Sequence, residues 1–192
     1  MALPAKKEKE LYTFADCLTW DESERIELIN GEAFMMAPPL TAHQRILMAL
    51  ALQIGNYLRG KTCEVFPAPF GVRPFERDGD RPEDVDTMLE PDITVVCDPA
   101  KLDKYGCKGA PDMVIEILSP STRRHDRLTK FNLYQQAGVR EYWIVDPNNQ
   151  DVQSFVLEDG RYLAKEFGTA KDMMKVNILE DCVIDLSEVF AG

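Results

Sequence analysis

"GAPDMVIEILSPSTRRHDRLTKFNLY", Gly109 to Tyr134, carries the reading of the fold. Its first half holds a run from Met113 to Leu118 that is apolar except for Glu116. As a strand, this run sends Asp112, Val114, Glu116 and Leu118 to one side and Met113, Ile115 and Ile117 to the other, because side chains alternate along an extended chain. Ser119-Pro120 ends it, since the residue before a proline is pushed away from helical angles. Ser121 or Thr122 can then cap a helix that runs to Gly138, a residue suited to the left-handed position after a helix. A carboxylate on an otherwise apolar sheet face costs several kcal/mol to desolvate unless a cation, a metal ion or dense hydrogen bonding holds it. The helix offers a cation. At about 100° per residue Lys130 shares a stripe with Leu133, Tyr134 and Ala137, with Asp126 about 40° to one side, so its long stem can carry the ammonium to Glu116.

Working outward, "VREYWIVDP" reads as the next strand, and the helix between it and 112–118 is long enough to connect a parallel pair. Upstream, "PDITVVCD" is a β-branched interior strand with Asp92 at its start. "YTFADCL" suits a short helix, and "RIELINGEAFMMAP" a hairpin around Asn30-Gly31, with Glu27 just before the turn. "TAHQRILMALALQIGNYLRG" is the strongest helix. It opens with Thr41 and Gln44 in capping-box spacing, stops near Gly60, and places His43 on the side of Leu47, Leu50 and Ile54. "KTCEVFPAPFGVRPF" gives two strands around Pro67 to Pro69. Glu76 to Asp92, with eight acidic and two basic residues, reads as a solvated loop. "CDPAKLDKYGCKGAP" reads as a linker with a short helical turn, and "VQSFVLEDGRYLAKEF" as a hairpin around Asp159-Gly160. "MKVNI" and "CVIDLSEVF" supply a short strand and a closing helical turn. This order predicts a single domain over 1–192 of the α/β (α+β) class, a central mixed β-sheet flanked by helices with extra terminal hairpins.

At 192 residues the chain can bury a sizeable core. It has no long apolar run to span a membrane and no basic-then-apolar start typical of a signal peptide, which points to the cytoplasm. Five cysteines, at 17, 63, 97, 107 and 182, form an odd set without a CxxC pair, so free thiols are expected in place of disulfides or a zinc site. With 22 basic against 33 acidic residues the formal charge is −11, which disfavours non-specific nucleic-acid binding without speaking for a local cleft.

From periodicity alone two readings of the acids stay open. Glu116 and Lys130 form a purely structural ion pair, or Asp92 and Glu116 meet at neighbouring strand ends and hold a hard cation such as Mg²⁺ or Mn²⁺. In the second reading the nearby lysine orients water and offsets charge on a phosphate, which suits phosphodiester hydrolysis. His43 is likewise either hydrogen-bonded at its helix start or part of a pocket. Arg123, Arg124, His125 and Arg127 crowd the positive end of the helix dipole, as a solvated helix end or as contacts to phosphates flanking a cut.

The run "PDITVVCD … APDMVIEILSPSTRRHDRLTKFNLYQQAGVREYWIVDP", extending back through "RIELINGEAFMMAPPLTAHQRI", resembles the Uma-two family of restriction-endonuclease-like proteins, which is assigned to the PD-(D/E)XK nuclease superfamily. The resemblance covers roughly residues 12 to 167, leaving 1–11 as a loose lead-in and 168–192 as a C-terminal extension on the core. It implies a metal-dependent DNA endonuclease, with Asp92 and Glu116 as the metal-binding carboxylates and Mg²⁺ or Mn²⁺ as cofactor. The superfamily's lysine stands two places after the second acid, where this chain has Leu118, so Lys130 takes that role from the adjacent helix. Glu27 and His43 match positions at the pocket's rim, and Gln44 can also reach it. Double-strand cutting needs two sites, hence a homodimer. The rival expectations are a non-catalytic binding or assembly module that keeps the fold, and a metal-dependent phosphoesterase acting on a small nucleotide.

Overall fold

A computed structural model describes residues 11–21, 25–119 and 125–191, with the backbone alone at 125–127. Residues 1–10 of the 1–11 lead-in, the cap at Ser121 or Thr122, and Arg123 and Arg124 lie outside the described residues, as does the side chain of Arg127.

The elements in chain order are α1 (Phe14–Cys17), β1 (Ile26–Ile29), β2 (Glu32–Met35), α2 (Thr41–Leu58), β3 (Glu64–Pro67), β4 (Val72–Arg73), β5 (Ile93–Val96), β6 (Leu102–Asp103), β7 (Gly106–Lys108) and β8 (Met113–Ile117). There follow α3 (Phe131–Ala137), β9 (Glu141–Asp146), β10 (Asp151–Glu158), β11 (Arg161–Thr169), β12 (Met173–Lys175), β13 (Val183–Asp185) and α4 (Leu186–Val189). Six strands form the central sheet in the order β11-β10-β9-β8-β5-β3. β8 and β9 are parallel, joined through α3, and the other neighbours are antiparallel. The sheet is therefore mixed.

The alternation along 112–118 sorts the core into two layers. Met113, Ile115 and Ile117 face α2 and the C-terminal segment, packing with Leu47, Leu50, Ile54, Ile184 and Leu186. Val114 and Leu118 face α3, with Leu133, Tyr134, Tyr142 and Ile144. The Asn30-Gly31 and Asp159-Gly160 turns both have positive φ at their two residues, as tight hairpin turns require. The hairpin at 151–169 is no appendage: β10 and β11 complete the central sheet. A one-turn π-helical segment, His125–Lys130, leads into α3, which ends at Gly138 with φ 91°.

Four expectations need correction. α2 has Leu40 as its N-cap, in extended conformation after Pro38-Pro39, so Thr41 is already helical and no side-chain cap forms. Residues 102–108 are a hairpin, not a linker, and with β4 they make a three-stranded sheet. Gly106 has φ 123° there, and a Cβ on it would stand 2.0 Å from the Gly71 carbonyl oxygen, so no side chain fits. The second half of the acidic stretch is not a solvated loop: Val85, Thr87 and Leu89 are buried, and Met88 and Leu89 bridge to Leu28 and Val72. A two-residue period among the acids carries it inward.

The fourth concerns cysteine. Cys63 and Cys97 form a disulfide, while Cys17, Cys107 and Cys182 are free. β3 pairs antiparallel with β5, Glu64 opposite Val96, which sets residue 63 opposite 97 across the ladder. A spacing of 34 along the chain gives no hint of that. The all-thiol expectation falls, and with it one ground for expecting the cytoplasm. No helix among the described residues is long and apolar enough to cross a membrane.

Candidate active site

β5 starts at Ile93, opposite Ile115 of β8, so one step back sets Asp92 opposite Glu116. Opposing residues of an antiparallel pair hold their Cβ atoms about 4.5–5.5 Å apart and share a face. Asp92 uses Oδ2 to accept the Ile117 N–H at 2.7 Å, so the strand continues as a side-chain contact where the backbone ladder stops. The same oxygen lies 3.1 Å from His43 Nε2, brought over the sheet's end by the first turn of α2. In the tautomer that carries its proton on Nε2, that nitrogen donates to Asp92 and Nδ1 is left as an acceptor. That Nδ1 is buried and has no hydrogen-bond partner among the described residues.

Glu116 is 3 % exposed. Its Oε1 accepts from Lys130 Nζ at 3.0 Å and from the Tyr134 hydroxyl at 2.7 Å. Lys130, 2 % exposed, also reaches Glu27 Oε1 at 2.7 Å. Glu27 Oε1 in turn accepts the Glu90 backbone N–H at 3.0 Å, which ties hairpin β1–β2 to the segment that delivers Asp92. One buried ammonium thus spans two buried carboxylates, the compensation that such burial demands. Burial first, then the charges of Glu116 and Glu27, push the Tyr134 phenol well above its ordinary range. It stays protonated and acts as a fixed donor.

The structure therefore places Asp92 and His43 in one hydrogen-bonded group and Glu116, Lys130 and Glu27 in a second, with the Asp92 contact to the Ile117 N–H setting the two side by side. Glu27 is inside the buried cluster instead of at a rim. Gln44 is exposed and makes no hydrogen bond to the cluster among the described residues. Sequence reasoning missed the Tyr134 hydroxyl and the Glu90 N–H. Tyr134 was legible on the sheet-facing stripe of the helix, but its hydroxyl was not read as a partner for Glu116.

Among the described residues no group of three or more His, Cys, Asp and Glu side chains is arranged to hold a metal ion. Two carboxylates nevertheless fit a magnesium-type ion, which keeps several waters and completes its shell with substrate phosphate oxygens. Both hydrogen bonds of Asp92 fall on Oδ2, leaving Oδ1 unpartnered among the described residues. The donor set is all oxygen, as a hard cation prefers.

A family profile described as "Uma2: Putative restriction endonuclease" matches residues 14–187. The chain belongs to the Uma2 family. This Uma2 chain is 26 % identical over 145 residues to "Uncharacterized protein slr1290" of Synechocystis sp. (strain ATCC 27184 / PCC 6803 / Kazusa), covering 74 % of its own length and 72 % of the relative's. In three dimensions it is similar to "a putative nuclease belonging to DUF820" from Anabaena variabilis ATCC 29413, with TM-score 0.71 and 18 % identity over 94 % of this chain and 98 % of that one. At such identity the likeness establishes the shared fold. The Uma2 match and this likeness together place the mixed sheet and its flanking helices in the restriction-endonuclease-like class.

Proposed function

We propose that this Uma2 protein is a metal-dependent endonuclease that hydrolyses DNA phosphodiester bonds at the Asp92–Glu116 pair. The observation that carries this reading is the pairing itself: two carboxylates opposite each other at a strand end, with an ammonium on one of them. A divalent cation held by Asp92 and Glu116 would polarise the scissile phosphoryl group and lower the pKa of an attacking water. Lys130, anchored by Glu27 and Glu116, holds positive charge where the phosphorane gains negative charge. Tyr134 and Lys130 fix the Glu116 carboxylate, and Ile117 N–H and His43 fix that of Asp92, so neither needs to reorganise during reaction. With the proton on Nε2, the His43 Nδ1, which has no hydrogen-bond partner among the described residues, would be left as an acceptor. Arg123, Arg124 and Arg127 are the proposed contacts to flanking phosphates, and two chains are needed for a double-strand cut.

One observation favours a second reading. The Lys130 ammonium already joins Glu27 and Glu116, as in a closed structural pair on a non-catalytic module. The two readings part on turnover. Supercoiled plasmid and single-stranded DNA are incubated with Mg²⁺ or Mn²⁺, using wild type and Lys130→Ala. The nuclease reading expects cleavage that needs the metal and falls by at least about 10²-fold in the variant, the scale of losing one charged transition-state contact. Cleavage that persists in purified Lys130→Ala rejects the assignment.

A further inference from the structure

A cavity of about 330 Å³ opens on the Glu116 face of the sheet, lined by Leu128, Phe131 and Asn132 from the helical side and Ile144, Gln153 and Phe155 from the strands. Its position follows from register. Ile144 stands beside Glu116 in the parallel pair, and Gln153 stands opposite Ile144. One row across the sheet thus runs Asp92, Glu116, Ile144, Gln153. At the usual strand spacing, Gln153 is about 10 Å from Glu116.

We infer that this cavity takes an unstacked nucleobase from the strand whose phosphate lies at Asp92 and Glu116. The inference rests on the nuclease reading and adds a specificity subsite to it. The walls are apolar and aromatic, with Phe131 and Phe155 meeting edge to face at 5.0 Å, and such rings hold the flat face of any base. Two carboxamides, Asn132 on α3 and Gln153 on β10, open onto the same space. Neither side chain has a hydrogen-bond partner among the described residues. A carboxamide offers a donor beside an acceptor, the pattern that matches the edge of a base, adenine above all. None of the six lining residues is charged, so the occupant is a neutral group, in a chain whose formal charge is −11. An apolar protein segment or a second copy of this chain would cover both amides without pairing them, an unfavourable outcome at a closing interface.

The test couples the base to the amides. Binding of a labelled single-stranded oligonucleotide is measured by fluorescence anisotropy in Ca²⁺, with an abasic site stepped along the strand. Wild type should lose about tenfold in affinity at one position, the scale of one stacked base. In an Asn132→Ala/Gln153→Ala double variant, intact DNA should bind more weakly and the abasic penalty at that position should shrink towards none. Equal penalties in both proteins, or no sensitive position in a wild type that binds and cleaves, overturn the pocket and leave the nuclease reading standing. If wild type binds no nucleic acid, both readings fall. A double variant that changes sedimentation mass but not the abasic penalty makes this face a self-association surface, which also overturns the inference.

Discussion

Asp92 and Glu116 stand opposite each other on antiparallel neighbours, one residue beyond the last ladder pair, Ile93 with Ile115. The end of β5 is where backbone pairing yields to side-chain contact, through Asp92 Oδ2 and the Ile117 N–H. A strand terminus frees the carboxylate from the sheet's own hydrogen bonding while the sheet still fixes its position.

Lys130 is the electrostatic keystone of this face. Lys130→Ala leaves Glu27 and Glu116 buried without their shared cation, so urea unfolding should show a loss of about 3–5 kcal/mol. Neutralising the partners as well, in Lys130→Met/Glu27→Gln/Glu116→Gln, should recover most of it. A loss under about 1 kcal/mol, the range of exposed pairs, would mean that the carboxylates do not depend on the lysine.

Tyr134→Phe removes one hydroxyl from a fully buried site and keeps the ring among Leu133, Tyr142 and Ile144. Glu116 Oε1 loses the 2.7 Å donor, for an expected cost of about 1–3 kcal/mol by denaturant titration with the fold intact. No measurable change would show that the phenol does not support the carboxylate.

Glu141 anchors the C-terminal segment. Fully buried, it accepts from Trp143 Nε1 at 2.7 Å, Asn177 Nδ2 at 3.1 Å and the Ile178 N–H at 2.8 Å. Glu141→Ala strands three donors, so stability should fall by more than about 2 kcal/mol. Limited proteolysis should then cut residues 170–190 first. Unchanged protection of that segment would remove Glu141 as its anchor.

The Cys63–Cys97 disulfide clamps edge strand β3 to β5. Closing a loop of this length should contribute about 3–4 kcal/mol in the chain-entropy description, read as the shift of the urea midpoint on reduction. Thiol counting in denaturant should give three groups without reductant and five with it. Five without reductant would contradict the bond.

The free thiols set a pH limit. Burial pushes Cys107 and Cys182 up from 9.0 to about 11, and Cys17 to about 12. Raised acids of this kind contribute stability that is complete below pH 9 and is lost as pH climbs through 11, because the unfolded chain releases protons first. The urea midpoint should fall above pH 9, less steeply in Cys107→Ala/Cys182→Ala. An identical slope in that variant would assign the loss to other groups.

Much of this was legible from local pattern. The alternation at 112–118 gives the two core layers, and the helical stripe puts Lys130 over Glu116. Asn30-Gly31 and Asp159-Gly160 mark their turns. What stayed hidden depends on partners far apart in the chain. Cys63 meets Cys97 only through β3–β5 pairing, and Glu90 reaches Glu27 across 63 residues. Thr41 resembled a cap because its spacing to Gln44 was right, but the N-cap is Leu40, in extended conformation, and Thr41 is the first helical residue.

The most direct test of the central claim is calorimetric titration of the apo-protein with Mn²⁺, in wild type, Asp92→Asn and Glu116→Gln. The account expects one saturable site in wild type, weakened at least about tenfold or abolished in each variant as one of two carboxylate ligands is lost. A wild type that takes up no Mn²⁺, or a site that both variants keep unchanged, would contradict it.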